Sequence, residues 1–279
     1  MPEVAFLNGR FLPLADATVS IEDRGFQFGD GVYEVLRTYR GRPFEVEAHL
    51  ARLDRSAQAI QLHQPYSRAR WSQLILEGIE RAAYPESKIY LQVTRGAAPR
   101  DHGYAADLVP TIVMTVRELQ PIAAAVRSRG VAAMTMEDIR WGRCDIKSIN
   151  LLANVLARQQ AKQTGVFETI LVKDGSVTEG AVSNVFVVRD GSLVTAPEGP
   201  RILSGVTRAV VLQLARDHGM SVHERYPSQA DLFAAQEVFL TGTTVEVLGV
   251  VEIDGKVIGP GRPGPVTSRL AGWFSEQTA

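Results

Sequence analysis

The sequence predicts a two-domain α+β (mixed α/β) protein. Three observations carry this. Apolar residues recur with a strand period of two and a helix period of ~3.6 along the whole 279-residue chain. Strand-like and helix-like stretches intermingle without an internal repeat. A proline-bearing stretch of no clear period, "RELQPIAAAV" at 117–126, interrupts them. The expected division is a domain over 1–117, a linker at 118–124 and a second domain over 125–279.

Residues 4–7 and 10–14 flank Asn8-Gly9, a two-residue hairpin turn. Residues 32–39 alternate and are rich in β-branched and aromatic side chains. Gly41-Arg42 then turns them into a short strand at 43–46. Leu50, Leu53, Ala57 and Ile60 recur at helical spacing, and 71–82 forms a second amphipathic helix. "KIYLQVT" (88–94) alternates as a half-buried strand should, and 111–116 is another strand. Past the linker come a strand near 131–136, the segment around Lys147, and a helix. Its apolar stripe is Ile149, Leu152, Ala153 and Leu156, and Gly165 is its natural stop. Residues 167–173 and 185–189 are strands with turns at Asp174-Gly175 and Asp190-Gly191. A helix over 206–218 and strands at 237–241 and 250–253 follow.

Composition excludes several classes. Apolar residues make up 45% and charged residues 22%, and the formal net charge is -1. That balance points away from a nucleic-acid partner. No run of ~18 apolar residues suggests a membrane span. The first nine residues lack the pattern of a signal peptide, and Cys144 is the only cysteine. Both fit the cytoplasm. The five histidines have no metal-binding spacing, so no metal is expected. Dinucleotide, P-loop and serine-hydrolase signatures are absent from the sequence.

Four stretches carry chemistry. "RCDIKSINLL" (143–152) sets Lys147 at the edge of an apolar run. Its stem could pack while the ammonium reaches water. Alternatively the amine is held away from water, uncharged, to attack a carbonyl, with Arg140 and Arg143 adding positive charge nearby. "VTEGAVSN" (177–184) puts Glu179 on a connection between strands. It is either a turn residue or a carboxylate that keeps a pyridine nitrogen protonated. "ILSGVTRAVV" (202–211) has Gly205 ahead of a helix, so the Val206 and Thr207 amides would favour an anion such as phosphate. "LTGTTVEV" (240–247) is a second hydroxyl and glycine cluster at a strand end. "TRGAAPRDHG" (94–103) places Arg95, Arg100 and His102 after a strand, as a solvated loop or a carboxylate grip. A lysine, a ring-nitrogen carboxylate and a phosphate cradle together suit pyridoxal 5'-phosphate.

"EDRGFQFGDGVYEV" (22–35), "VTRGAAPRDH" (93–102), "EDIRWGRCDIKSINLLANVLA" (137–157), "VTEGAVSNVF" (177–186), "ILSGVTR" (202–208) and "EIDGK" (252–256) are collinear. In order and spacing the chain resembles the fold-type IV pyridoxal-phosphate enzymes, most closely the bacterial D-amino acid aminotransferases. The resemblance implies that Lys147 forms the Schiff base and moves the substrate proton. It implies that Glu179 faces the ring nitrogen. Arg52, Val206, Thr207 and Thr243 would bind phosphate, Arg140 would lie near the phenolic oxygen, and Leu203 would pack on the ring. Tyr33, Arg100 and His102 would trap the substrate carboxylate, the last two from a neighbouring subunit, which implies a homodimer. The implied substrates are D-amino acids such as D-alanine and D-glutamate, with 2-oxo acids, in ping-pong order. One departure stands out: Ala181 and Val182 occupy positions where close members carry serines. Competing expectations on the same fold are a branched-chain L-amino acid or (R)-amine aminotransferase, or aminodeoxychorismate lyase. A cofactor-free binding protein is the competitor of another class.

Overall fold

A computed structural model describes residues 4–279. The chain falls into two units, one comprising residues up to Gln120 with Ile146–Asn150, the other Pro121–Asp145 with Leu151–Ala279. The architecture is α+β, as the mixed periodicities imply.

In the first unit, β1 (Val4–Leu7) and β2 (Arg10–Pro13) form the expected hairpin. Asn8 and Gly9 both take positive φ, 46° and 97°, which this tight turn requires. A short helix α1 (Arg24–Phe28) leads into β3 (Gly31–Tyr39) and β4 (Arg42–Pro43). Helices α2 (Val46–Ala59) and α3 (Arg68–Ala82) precede β5 (Ser87–Thr94) and β6 (Thr111–Glu118). The strands make one sheet in the order β2-β1-β6-β5-β3-β4, antiparallel throughout. Leu50, Leu53, Trp71, Leu74 and Ile75 pack against Leu36, Ile89 and Leu91 in its core. The expected strand at 43–46 ends at Pro43, because Glu45 turns left-handed (φ 53°) and Val46 opens α2.

The second unit begins with α4 (Ala124–Arg129) and β7 (Val131–Glu137), then α5 (Leu152–Thr164). β8 (Glu168–Lys173), β9 (Ser176–Gly180), β10 (Asn184–Arg189) and β11 (Ser192–Thr195) follow. Next come α6 (Val206–Asp217), β12 (Val222–Glu224) and α7 (Gln229–Phe233). β13 (Glu237–Gly242), β14 (Glu246–Ile253), β15 (Lys256–Val257) and α8 (Pro265–Gln277) complete it. Its sheet runs β12-β11-β10-β13-β14-β7-β8-β9, with β15 on β14. β7 lies parallel to both β8 and β14.

Two sequence expectations change here. The stretch holding Glu179 is strand β9 and not a connection, since Val177 and its neighbours pair with β8. The apolar stripe of α5 is not a buried face of this chain. Ile149 lies outside the helix, Leu152 and Leu156 are 72% and 52% exposed, and the buried side carries Ala157 and Ala161. The stripe marks a surface that water should not keep.

Candidate active site

Lys147 is half-buried, and its backbone is fixed within the first unit. Its N–H donates to Ser56 Oγ on α2 at 3.1 Å. Its carbonyl accepts from the Tyr33 N–H at 3.0 Å, and the Ile149 N–H donates to the Gly31 carbonyl at 3.1 Å. The lysine therefore rides on the start of β3. Its Nζ sits 4.4 Å from the Tyr33 ring centroid. No hydrogen bond or ion pair to Nζ exists among the described residues. A fully buried lysine normally keeps an anionic partner; this half-buried amine has the Tyr33 ring instead.

The alternation of β3 splits its residues between two faces. The Tyr33 ring lies 5.7 Å from the Tyr90 ring, tilted by 31°. Glu34 points the other way and is fully buried. There it accepts from Arg52 Nε (2.7 Å) and Nη2 (2.8 Å), and meets His49 Nδ1 at 2.8 Å. His49 and Arg52 share one face of α2, three residues apart. Burial would raise the Glu34 carboxyl, but Arg52 and then His49 outweigh it and hold it far below the carboxylate range. Burial pulls His49 below its ordinary value despite Glu34, with Arg52 and Lys147 adding to the effect. His49 is thus neutral near pH 7, and the bond to Glu34 assigns its proton to Nδ1. Arg52, expected at a phosphate, is oriented by Glu34.

Arg100 and His102 lie on an exposed loop of the same unit and share a platform. The Arg100 guanidinium lies 4.6 Å from the Phe28 ring centroid and the His102 ring 5.4 Å from it. Among the described residues no hydrogen bond or ring contact joins either of them to Tyr33. Arg95, expected in a solvated loop or a carboxylate grip, is buried and bonds Asp30 through Nε (2.8 Å) and Nη2 (3.0 Å).

The second unit gathers Glu179, Arg140, Leu203 and the head of α6. Glu179 is buried on β9 and accepts from Asn184 Nδ2 (2.9 Å), the Leu203 N–H (3.0 Å) and Arg140 Nη1. Arg140 is itself gripped by Asp138, Nε to Oδ1 at 2.9 Å and Nη2 to Oδ2 at 2.7 Å. Burial would raise Asp138, but these bonds hold it below its usual range. Asn184 Nδ2 also donates to the Leu203 carbonyl at 3.0 Å. Gly205 is the N-cap of α6 and supplies no side-chain cap, so the amides of Val206 and Thr207 open the helix uncapped by a side chain. A Cβ on Gly205 would lie 2.0 Å from Asn184 Oδ1. Thr243 is half-buried in the turn after β13.

The neighbours proposed to add charge to Lys147 have other commitments. Arg143 is exposed and paired with Asp145 at 2.9 Å, where solvent screens it. Cys144 is no nucleophile, since burial pushes its thiol up to about 11. Ala181 is buried against Ala157 and Leu171, a small apolar cluster where a hydroxyl would find little use. Val182 is 61% exposed, while Ser183 Oγ donates to buried Glu168 at 2.8 Å. Sequence reading passed over Glu34, His49, Asp138 and Asn184. Glu34 had a signal: the one charge on the apolar side of an alternating strand. Asn184 had none beyond its place at the end of the glutamate stretch.

No helix among the described residues is long and apolar enough to cross a membrane, and no group of His, Cys, Asp and Glu among them could hold a metal. The family model described as amino-transferase class IV matches residues 31–253. The chain is 44% identical over 263 residues to the D-alanine aminotransferase of Bacillus licheniformis, spanning 94% of this chain and 93% of that one. It is 40% identical to the D-alanine aminotransferase of Staphylococcus haemolyticus, over 97% and 96% of the two chains. Among solved structures, the Escherichia coli branched-chain amino acid aminotransferase superposes with a TM-score of 0.93 at 27% identity, over 100% of this chain and 95% of that one. The branched-chain amino acid aminotransferase of T.th., solved with pyridoxamine 5'-phosphate, has a TM-score of 0.89 at 27% identity, over 100% and 94%.

Proposed function

We propose that this chain, which belongs to the class IV aminotransferases and is a pyridoxal 5'-phosphate-dependent aminotransferase, moves amino groups between D-amino acids and 2-oxo acids. The residues fit the cofactor. The head of α6 lacks a side-chain cap and opens on a glycine whose Cβ would collide with Asn184 Oδ1, as suits a phosphate cradle. Asn184 and Leu203 tie that cradle to the Glu179 carboxylate. Pyridoxal 5'-phosphate, when bound, supplies an aldehyde for a primary amine and a pyridinium ring that accepts electrons from the substrate Cα.

Lys147 is the residue we assign to that aldehyde. Its unclaimed Nζ, on a backbone pinned by Ser56 and Tyr33, is the observation that carries the reading. Its amine takes the substrate's Cα proton and returns one, a general acid–base role worth ~10²–10⁴ in rate. Glu179, an acceptor-only anion fixed by three donors, holds a proton on the ring nitrogen. Val206, Thr207, Thr243 and Arg52 bind phosphate, Arg140 serves the phenolic oxygen and Leu203 packs on the ring. Tyr33, Arg100 and His102 take the substrate carboxylate.

The likeness to D-alanine aminotransferases supports D-amino acids over branched-chain L-amino acids, because it is 44% against 27% identity for the branched-chain structure. We further propose a homodimer in which Arg100 and His102 serve the neighbouring protomer. The exposed stripe of Leu152, Val155 and Leu156 on α5 supports a second copy. A single, half-buried cysteine supports a cytoplasmic location.

The test has two parts. Borohydride reduction of the holoenzyme and peptide mapping should place the pyridoxyl adduct on Lys147; an adduct elsewhere refutes the assignment. Half-reactions with D-alanine, L-leucine and (R)-1-phenylethylamine should bleach the cofactor's visible band fastest with D-alanine. Faster loss with L-leucine refutes the substrate class.

A further inference from the structure

The loop carrying Arg100 and His102 has no core of its own, since residues 99–107 are all exposed. Yet three consecutive carbonyls of this loop converge on one buried side chain. Arg24 Nη1 donates to the Asp101 carbonyl (2.6 Å) and the Gly103 carbonyl (3.1 Å), and Nη2 to the His102 carbonyl (3.1 Å). Its Nε donates to Asp30 Oδ2 at 2.9 Å, and the residue is 3% exposed.

The anchor is itself anchored. Asp30 also accepts from Arg95 Nε and Nη2, and Arg95 donates further to the carbonyls of Ile60 (2.8 Å) and Gln61 (3.0 Å) beyond α2. Burial would raise Asp30, but Arg95 and Arg24 hold it low, so it stays an anion. The Arg24 backbone N–H donates to Gly96 at 2.8 Å. The Arg24 guanidinium lies 4.9 Å from the Phe28 centroid, the same ring that Arg100 and His102 pack on. A planar fork with five donors can meet a carboxylate and three carbonyls at once in fixed directions; an ammonium has three donors and no such fork.

We propose that Arg24 is a positioning residue for the substrate carboxylate: by gathering the carbonyls of residues 101–103 it sets the direction of Arg100 and His102. This rests on the reading of Arg100 and His102 as the carboxylate trap. The consequence is a loop ordered before substrate arrives, so binding does not bear the cost of ordering it. Displacement of a binding group by about 1 Å can lower efficiency by up to ~10²-fold.

The test is Arg24→Met in the holoenzyme, with Arg100→Leu as the reference. Arg24→Met leaves Asp30 paired with Arg95 and lets the loop carbonyls turn to water, so the fold should persist. KM for D-alanine and for its 2-oxo acid acceptor should both rise ~10-fold or more, with kcat and bound cofactor changing far less. Trypsin should cut after Arg100 faster than in the parent, a readout independent of turnover. If Arg24→Met does not fold, Arg24→Lys keeps a cation at Asp30 and is read by the same criteria. KM within about twofold of the parent, or kcat falling with cofactor content, overturns the positioning role. If Arg100→Leu also leaves KM unchanged, the carboxylate-trap reading fails instead.

Discussion

Replacing Glu34 by Gln should damage this protein more than any single exposed charge. Glu34 is fully buried and is bonded by both Arg52 and His49. The substitution keeps volume, so no cavity forms, but it removes the carboxylate that both Arg52 and His49 bond. One amide oxygen can still accept from Arg52 Nε; the amide NH2 then faces Arg52 Nη2, donor against donor. Breaking a buried ion pair on one side costs ~3–5 kcal/mol. At roughly 2–4 °C per kcal/mol for a chain of this size, Tm should fall by roughly 6–20 °C. Scanning calorimetry of apo- and holoenzyme reads this directly. The double change Glu34→Leu with Arg52→Met removes both charges and should cost much less than the two single changes added together. A Tm for Glu34→Gln within about 2 °C of the parent would refute the claim that this pair is dry and mutually dependent. Because Arg52 is also proposed at the phosphate, the Kd for pyridoxal 5'-phosphate should rise ~10-fold or more in Glu34→Gln.

Other outcomes follow from the same geometry. Gly205→Ala puts a methyl 2.0 Å from Asn184 Oδ1. Overpacking of ~1–3 kcal/mol should disturb Asn184, and cofactor titration should show affinity lowered by roughly 5- to 150-fold; unchanged affinity would detach Asn184 from the cradle. His49 is held below its ordinary 6.5, so the unfolded chain takes up its proton first as pH falls. Its contribution to stability is intact above 6.5 and lost on acidification toward the folded value. Tm should therefore drop between about pH 7 and pH 5, and drop less in His49→Gln; equal slopes would exclude His49 as the cause. Co-expressed Lys147→Ala and Arg100→Leu chains should regain about a quarter of parent activity, since half the dimers are mixed and each then has one intact site. No recovery would place Arg100 in its own protomer's site.

How far the sequence carried the fold and the site depends on what kind of force sets each feature. Alternation and helical spacing are local, so β3, α2, α3, β5 and α6 were legible to within a few residues. The strand at 43–46 was not, because Glu45 adopts a left-handed conformation that nothing in its chemistry announces. The α5 stripe was legible as apolar, but whether an apolar face is buried in its own chain is a tertiary fact. The site splits along the same line. Lys147, Glu179 and the glycine before α6 announce themselves by residue type in a short motif. The residues that aim them do not. Asn184 acts through its bonds to Glu179 and Leu203 and Asp138 through its grip on Arg140, and an asparagine or aspartate in one-dimensional order looks like a turn. Arg24 is the extreme case: the loop carbonyls it gathers lie 77 to 79 residues away, so a motif that preserves the residue conceals its role. Candidate reactive groups become legible when their motifs are read together, whereas the groups that orient them appear only when the chain is folded.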